Sequence, residues 1–321
     1  MTKLDPITPF LRENGTLVLD GGLATELEKR GYDLSDELWS ARLLADAPEV
    51  IRDVHLSYYR AGADCCTSAS YQASVAGFMR HGLSAAQARS LIRLSVDLVH
   101  EAREEFWAKE SNRPGRKRPI VAASVGPYGA YLADGSEYTG DYAIDESALV
   151  EFHRERWELL RDSAADVLAC ETLPSFAEAR ALLRLLDEST DTYSWFSFTC
   201  RDGEHISDGT LFRDCVSLLS GHERVVAIGV NCTPPRFIPE LIRSASDITH
   251  KPIIVYPNSG EQYDPVAKRW LGTADPAEFG TYSREWRKLG ATLIGGCCRT
   301  TPAHIRQISE RMRRVQTQLE E

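Results

Sequence analysis

Eight short apolar runs alternate along the chain with segments of helical periodicity, and this alternation constrains the fold more than any other feature. The runs are rich in Val, Ile and Ala, as buried strands are, whereas the segments between them repeat their apolar residues at helical spacing. The runs end at Asp20, Ser70, Gly126, Glu171, Cys200, Asn231, Asn258 and Cys298. The helical segments are 48–61, 85–108, 147–164, 175–187, 211–220, 236–246, 276–289 and 302–317. Eight strands alternating with eight helices predict an α/β fold, the (β/α)8 TIM barrel.

A doubly wound sheet is the alternative fold, because it also alternates strands with helices. It usually has fewer strands, however, and no G-x-G-x-x-G motif opens a helix in this sequence. The 321 residues are many for an ordinary domain but suit an α/β barrel. The segment 111–119, SNRPGRKRP, is typical of a solvated loop, and no low-complexity linker divides the chain. We therefore expect one domain over residues 1–321, with its core over about residues 10–315.

Charge and hydropathy narrow the class of partner. The formal net charge of −10 opposes binding to nucleic acid, which usually requires a basic face. No apolar secretion segment opens the sequence, and no stretch of 18 apolar residues occurs that would suggest a membrane span. We therefore expect a cytoplasmic protein that acts on small molecules. In a reducing compartment, the eight cysteines point to metal or thiol chemistry rather than to disulfides.

Reactive residues follow the predicted strands, at the end of the barrel where TIM-barrel enzymes carry their active sites. The candidate residues are Asp20, Gly21, Gly22, Ser70, Tyr71, Gln72, Glu171, Asn231, Cys232, Asn258, Cys297 and Cys298. The carboxylate of Glu171 follows an apolar run, so it is either paired structurally or binds a cationic group. The Asp20-Gly21-Gly22 segment is either a tight turn or a place where backbone N–H groups bind a carboxylate or phosphate. Asn258 fits a turn and a site equally well.

Three cysteines are expected to converge at this end of the barrel. Cys232 ends the sixth run and the Cys297-Cys298 pair ends the eighth, so two strand spacings, roughly 10 Å, separate them. Adjacent side chains of a regular strand point to opposite faces, and we expect Gly295 and Gly296 to end the strand with a bend.

Three thiolates with no obvious fourth protein ligand suit a catalytic zinc, which keeps one position open. A substrate thiol bound there would lose its proton yet stay nucleophilic. The alternatives are unrelated buried thiols or a redox pair at Cys297 and Cys298. We expect the other five cysteines, Cys65, Cys66, Cys170, Cys200 and Cys215, to pack in the interior.

Five ordered motifs resemble those of the zinc-dependent homocysteine S-methyltransferases. They are DGGLATEL at 20–27, TSASYQAS at 67–74, ACETLP at 169–174, GVNCTPP at 229–235 and GGCCRTTP at 295–302. The segments SVGPYGAYLADGSEYTGDY at 124–142 and VYPNSGEQYD at 255–264 are similar to the branch that uses S-methylmethionine as methyl donor. This resemblance covers nearly the whole chain.

The resemblance implies a TIM barrel and one zinc ion per chain, bound by Cys232, Cys297 and Cys298. It implies that Glu171, together with Asp20, receives the amine of homocysteine. It further implies that the backbone near Gly21 and Gly22 receives the carboxylate of homocysteine, and that Tyr71 and Asn231 line the site. The cysteines and Glu171 are then the catalytic residues, and the expected reaction is methyl transfer from S-methylmethionine to L-homocysteine, which gives methionine.

Relatives that use other donors differ from this sequence. The cobalamin-dependent relatives are much longer, and the betaine-using relatives carry a C-terminal extension and a tyrosine after the glutamate, where this chain has Thr172. S-adenosylmethionine as donor, and selenocysteine or another thiol as acceptor, remain open. A metal-free redox protein is disfavoured because C-x-x-C spacing is absent. A non-catalytic zinc module is disfavoured because it would have no use for an open coordination position on the zinc ion. The aromatic candidates to face a sulfonium are Trp39, Tyr71, Tyr128 and Tyr131.

Overall fold

The computed structural model describes residues 5–34, 40–264, 269–271 and 275–319. Its strands are β1 (Leu17–Val18), β2 (Cys65–Thr67), β3 (Ile120–Val125), β4 (Val167–Leu173), β5 (Ser194–Phe198), β6 (Val225–Asn231), β7 (Ile253–Tyr256), β8 (Gln262–Asp264), β9 (Arg269–Leu271) and β10 (Ala291–Ile294). Its α-helices are α1 (Ile7–Asn14), α2 (Leu23–Lys29), α3 (Ser40–Asp46), α4 (Pro48–Ala61), α5 (Val75–Arg80), α6 (Ala85–Ala108), α7 (Tyr128–Leu132), α8 (Glu146–Arg161), α9 (Phe176–Asp187), α10 (Phe212–Ser220), α11 (Ile238–Ser246), α12 (Pro276–Leu289) and α13 (Pro302–Leu319). Short 3₁₀ turns occupy Glu110–Asn112, Ser136–Tyr138 and Pro235–Phe237.

Eight parallel strands form the barrel, in the order β1-β10-β7-β6-β5-β4-β3-β2. Every neighbouring pair in that order is parallel, and an isolated parallel bridge between Leu19 and Cys65 joins the two ends of the sheet. The helices between the strands provide the crossovers that parallel strands need. The predicted TIM barrel is therefore confirmed. The antiparallel pair β8 and β9 lies outside the barrel sheet and was not predicted.

The apolar core has two layers. Inward-facing strand residues such as Leu17, Val167 and Trp195 fill the barrel, and Ile7 and Phe10 of α1 belong to the same cluster. A larger second cluster fills the space between the strands and the surrounding helices. Because side chains alternate along a strand, Cys65 lies in the first cluster and its neighbour Cys66 in the second.

Element ends differ from the sequence predictions in ways that affect the site. β1, β2, β7 and β10 end before the predicted last residue of each run, so Asp20, Ser70, Asn258 and Cys298 lie in loops. β4 runs on to Leu173, two residues past Glu171. Five helices, α1, α2, α3, α5 and α7, were not predicted, because none exceeds eight residues and so short a segment shows little periodicity. None of the described helices is both long and apolar enough to cross a membrane.

Candidate functional site

The thiols of Cys232, Cys297 and Cys298 meet at the carboxyl end of the barrel. The sulfur atom of Cys298 lies 3.5 Å from that of Cys232 and 4.0 Å from that of Cys297, and all three lie within 4.8 Å of one another. All three cysteines are free, so they do not form a disulfide. Hydrogen bonds from Cys232 and Cys297 lower the pKa of Cys298, whereas hydrogen bonding with Cys232 and Cys298 raises the pKa of Cys297. A cation is needed to stabilise all three as thiolates, so the cluster can hold a metal ion.

Backbone geometry brings the cysteines together, though not as the sequence suggested. Cys232 has a φ of 49°, in the left-handed region, so the chain leaves its extended course directly after β6. β10 ends at Ile294, so the strand stops before Cys297 and Cys298, as expected. Gly295 and Gly296 have no positive φ, however, so the expectation that they adopt a backbone conformation closed to other residues is wrong. They are needed for space: a Cβ on Gly295 would lie 2.5 Å from Leu19 Cβ, and one on Gly296 would collide with Thr300.

Beside the thiols lies a cavity of about 150 Å³, here called the acidic pocket. Among the described residues, the charged side chains that line it are Asp20 and Glu171. The carboxylate of Asp20 accepts hydrogen bonds from Thr67 N at 2.8 Å and from Thr67 Oγ1 at 3.2 Å. Burial raises the pKa of Asp20 to about 8, despite these hydrogen bonds. A buried carboxylate with a raised pKa is stabilised by a cationic ligand, and the amine of an amino acid is one.

Glu171 is the second acid of the pocket. Its Oε1 accepts a hydrogen bond from Ser124 Oγ, and burial raises its pKa to about 7. The next residue, Thr172, has a φ of 57°, which is strained for a β-branched side chain. The side chain of Asn231 holds it there, since Asn231 Oδ1 accepts from Thr172 N and Asn231 Nδ2 donates to Thr172 Oγ1, both at 2.7 Å. Asn231 therefore positions the end of β4, and with it Glu171.

Gly21 and Gly22 line the same pocket, between β1 and α2. A Cβ on Gly22 would lie 2.8 Å from the carbonyl oxygen of Cys297, so only glycine allows this close approach. Gly22 N donates to both the carbonyl oxygen and Oγ1 of Thr300, each at 3.2 Å. Gly21 N makes no hydrogen bond within the described residues, so in this two-residue turn it carries the free N–H group.

The remaining sequence candidates separate into lining residues and structural ones. Tyr71 lines the acidic pocket. Ser70 is fully buried and donates to the carbonyl oxygen of Ser124 at 2.7 Å, and Gln72 donates to that of Ala130 at 3.1 Å, so both stabilise the barrel end instead. Asn258 lines a neighbouring cavity on the other side of Cys232 and Cys298. The other five cysteines are buried, as expected.

Several lining residues were missed by the sequence reasoning. Tyr138, Thr67 and Tyr256 all line the acidic pocket. Thr67 and Tyr256 stand near the ends of predicted strands, a signal that could have found them, whereas Tyr138 lies on a 3₁₀ turn far from any strand end. Among the aromatic candidates, Tyr128 and Tyr131 pack in a cluster with Phe152 and do not line the pocket. Trp39 lies outside the described residues.

Comparisons with known proteins agree with this geometry. The model of the homocysteine S-methyltransferase family matches residues 17–312. The chain is 54% identical over 314 residues to homocysteine S-methyltransferase YbgG of Bacillus subtilis, covering 98% of this chain and 100% of the relative. It is 47% identical to a selenocysteine Se-methyltransferase of Brassica oleracea, covering 94% of this chain and 91% of the relative. The metallated form of the homocysteine methyltransferase MmuM from Escherichia coli superimposes with a TM-score of 0.86 at 48% identity, covering 96% of this chain and 100% of that one. The chain belongs to the homocysteine S-methyltransferase family.

Proposed function

We propose that this protein transfers a methyl group from S-methylmethionine to the sulfur of L-homocysteine and so forms two molecules of methionine. One observation carries the proposal: three thiols within 4.8 Å of one another line the same pocket as two buried carboxylates. A metal bound by thiolates suits a substrate thiol, and buried carboxylates suit its amine. Homocysteine has both groups on one short chain.

The cysteine cluster fits a zinc ion. Zinc binds cysteine sulfur at about 2.3 Å, so two sulfurs at corners of a tetrahedron around it lie about 3.8 Å apart. The Sγ–Sγ distances of 3.5 and 4.0 Å bracket that value. Cys232, Cys297 and Cys298 would hold the ion and leave one position for the substrate. When bound, zinc supplies one chemical effect, which is to keep the substrate thiol deprotonated at neutral pH.

The pocket residues bind and orient homocysteine. Asp20 and Glu171 receive its amine, whose positive charge lowers the pKa of both carboxyls and restores their ionised forms. Gly21 N is available to its carboxylate, and Tyr71 limits the space around the substrate. Asn231, which the sequence placed in the lining, is fully buried and does not line the pocket; it acts through Thr172. Holding both reactants in reactive geometry is worth about 7 to 11 kcal/mol of barrier.

The transfer itself needs no acid catalyst. Homocysteine loses its thiol proton to solvent, and the sulfur lone pair then forms the new S–CH₃ bond. The S–CH₃ bond of the sulfonium breaks and leaves its electron pair on the donor sulfur. Both products are neutral thioethers, so no leaving group has to be protonated.

A selenocysteine methyltransferase is a second candidate, since one relative bears that name. The thiol cluster would accept a selenolate as readily as a thiolate, because both are soft donors. Competition between homocysteine and selenocysteine for limiting enzyme separates the two, and we expect homocysteine to have the higher kcat/KM.

The test combines metal content with turnover. We expect about one zinc per chain in the wild type, and methionine formation from homocysteine with S-methylmethionine, tested beside S-adenosylmethionine and betaine. Cys297→Ser is expected to lose zinc and activity together. Cys215→Ser, which changes a buried thiol of α10 outside the cluster, should retain both. An active Cys297→Ser enzyme without zinc, or a zinc-loaded wild type inactive with every donor, would overturn the proposal.

A further inference from the structure

A second cavity lies beside the thiols, on the side of the β5, β6 and β7 ends. It measures about 540 Å³, and we call it the basic pocket. It shares Tyr138, Cys232 and Cys298 with the acidic pocket, so these three residues form the boundary between the two. Its own lining includes Arg201 and Asn258. The reacting sulfur would thus be reachable from two chambers.

The two chambers differ in charge. The charged residues that line the acidic pocket are Asp20 and Glu171, both carboxylates, whereas the one charged residue that lines the basic pocket among the described residues is Arg201. Arg201 forms a long, exposed ion pair with Asp202, in which Nε lies 3.6 Å from Oδ2, beyond hydrogen-bonding distance. The terminal nitrogens of Arg201 donate no hydrogen bond within the described residues. These two nitrogens can therefore donate to an anion while Nε faces Asp202.

The loop that carries Arg201 is well supported. Arg201 N donates to the carbonyl oxygen of His205, and a bridge joins Cys200 to Ile206, so residues 200–206 form a small hairpin. Cys200 N also donates to Thr233 Oγ1 at 3.0 Å, which ties the loop to the residue after Cys232. The guanidinium lies over Gly209, where a Cβ would stand 3.1 Å from Arg201 Nη1. This support holds the cation at the wall of the basic pocket.

We propose that the basic pocket is the binding site of the methyl donor, a sulfonium amino acid whose carboxylate pairs with Arg201. The inference rests on the proposed function and adds the donor site to it. The reaction needs two amino-acid-sized reactants on either side of one methyl group. The acidic pocket, at about 150 Å³, is small even for one drug-sized ligand, whereas the basic pocket falls within the usual range for ligand sites of about 300 to 1,000 Å³. Arg201 would then select donors that carry a carboxylate.

The experiment compares two sulfonium donors in steady-state kinetics. S-methylmethionine carries the carboxylate, and trimethylsulfonium does not. For Arg201→Ala we expect kcat/KM with S-methylmethionine to fall about 10- to 30-fold, mainly through KM, because a charge-assisted hydrogen bond is lost at a half-exposed site. With trimethylsulfonium, kcat/KM should stay within about twofold, and so should the KM for homocysteine and the zinc content.

Two further variants control the comparison. Arg201→Lys keeps the charge and is expected to recover part of the lost kcat/KM, but not all, because a lysine cannot bind a carboxylate in bidentate fashion. Arg213→Ala removes an exposed arginine at the start of α10, outside the pocket lining, and should behave as wild type with both donors.

The outcomes separate the inference from the proposed function. An equal fall of kcat/KM with both donors would show that Arg201 only supports the loop, and unchanged kinetics with S-methylmethionine would show that the carboxylate binds elsewhere. Either result overturns the inference while the wild type remains an active methyltransferase. A wild type that transfers methyl from neither sulfonium overturns the proposed function itself.

Discussion

The clearest single-residue test of this site is Asn231→Ala, because Asn231 touches no solvent yet supports the strained end of β4. The residue is fully buried at the last position of β6. Its amide makes two hydrogen bonds of 2.7 Å, to Thr172 N and Thr172 Oγ1. Thr172 holds a φ of 57° only while those contacts compensate for the strain.

The magnitude follows from these contacts. Truncation leaves the N–H and the hydroxyl of Thr172 buried without their partners, at about 1 to 3 kcal/mol for each group, although the hydroxyl can rotate toward another acceptor. The strain at Thr172 does not add to this loss, because the wild type bears it as well, and its release in the variant recovers part of the lost free energy. We expect the free energy of unfolding to fall by about 2 to 4 kcal/mol. Since Glu171 precedes Thr172, the KM for homocysteine should rise as well.

Urea unfolding of the metal-loaded protein, followed by circular dichroism, measures the stability change, and initial rates at varied homocysteine measure KM. Asn258→Ala is the matched control, because it removes the same amide from the next strand end at a half-buried position. The free energy of unfolding of Asn258→Ala should fall by less than about 1 kcal/mol. If Asn231→Ala lowered the free energy of unfolding by less than Asn258→Ala, or left the KM for homocysteine unchanged, then Asn231 would not position the end of β4.

Two more predictions concern charge and packing. The pKa of Asp20 rises from 3.8 to about 8 on folding, so its contribution to stability is complete below pH 3.8 and is lost as the pH rises toward 8. Asp20→Asn should therefore stabilise the substrate-free protein more at pH 8.5 than at pH 5.5 in urea unfolding, and a difference independent of pH would contradict the raised pKa. Gly229→Ala places a Cβ against the carbonyl oxygen of Ile254 on β7. Because of this clash, we expect the free energy of unfolding to fall by about 3 kcal/mol or more. Gly221→Ala is the control, because its new Cβ meets no atom within 4 Å, and its thermal unfolding temperature should barely change. Equal losses of stability in the two variants would refute the clash at Gly229.

Much of the barrel was predictable because its signal is local. The run ending at Asn231 and the helices at 48–61, 85–108 and 276–289 match the observed β6, α4, α6 and α12, since apolar periodicity within one element needs no knowledge of the rest. The short α2 and α5 were missed because seven residues or fewer complete at most two helical turns.

Some residues of the candidate site could likewise be predicted from the sequence, and others could not. Asp20, Glu171, Cys232, Cys297 and Cys298 were found because strand ends of a parallel barrel share one face, so order along the chain implies proximity in space. Tyr138 and Arg201 were not found, because loops bring them to the thiols and loop paths depend on packing between distant segments.

The sequence alone therefore determined the barrel and the residue types at its carboxyl end, since both follow from periodicity within single elements. Only the tertiary structure decided that the thiols stand between two chambers of opposite charge, and that Gly295 and Gly296 provide space rather than a special backbone conformation. The physical reason is that a cavity and a close contact are properties of several chain segments at once. No single segment encodes their distance, and barrel closure together with loop packing sets it.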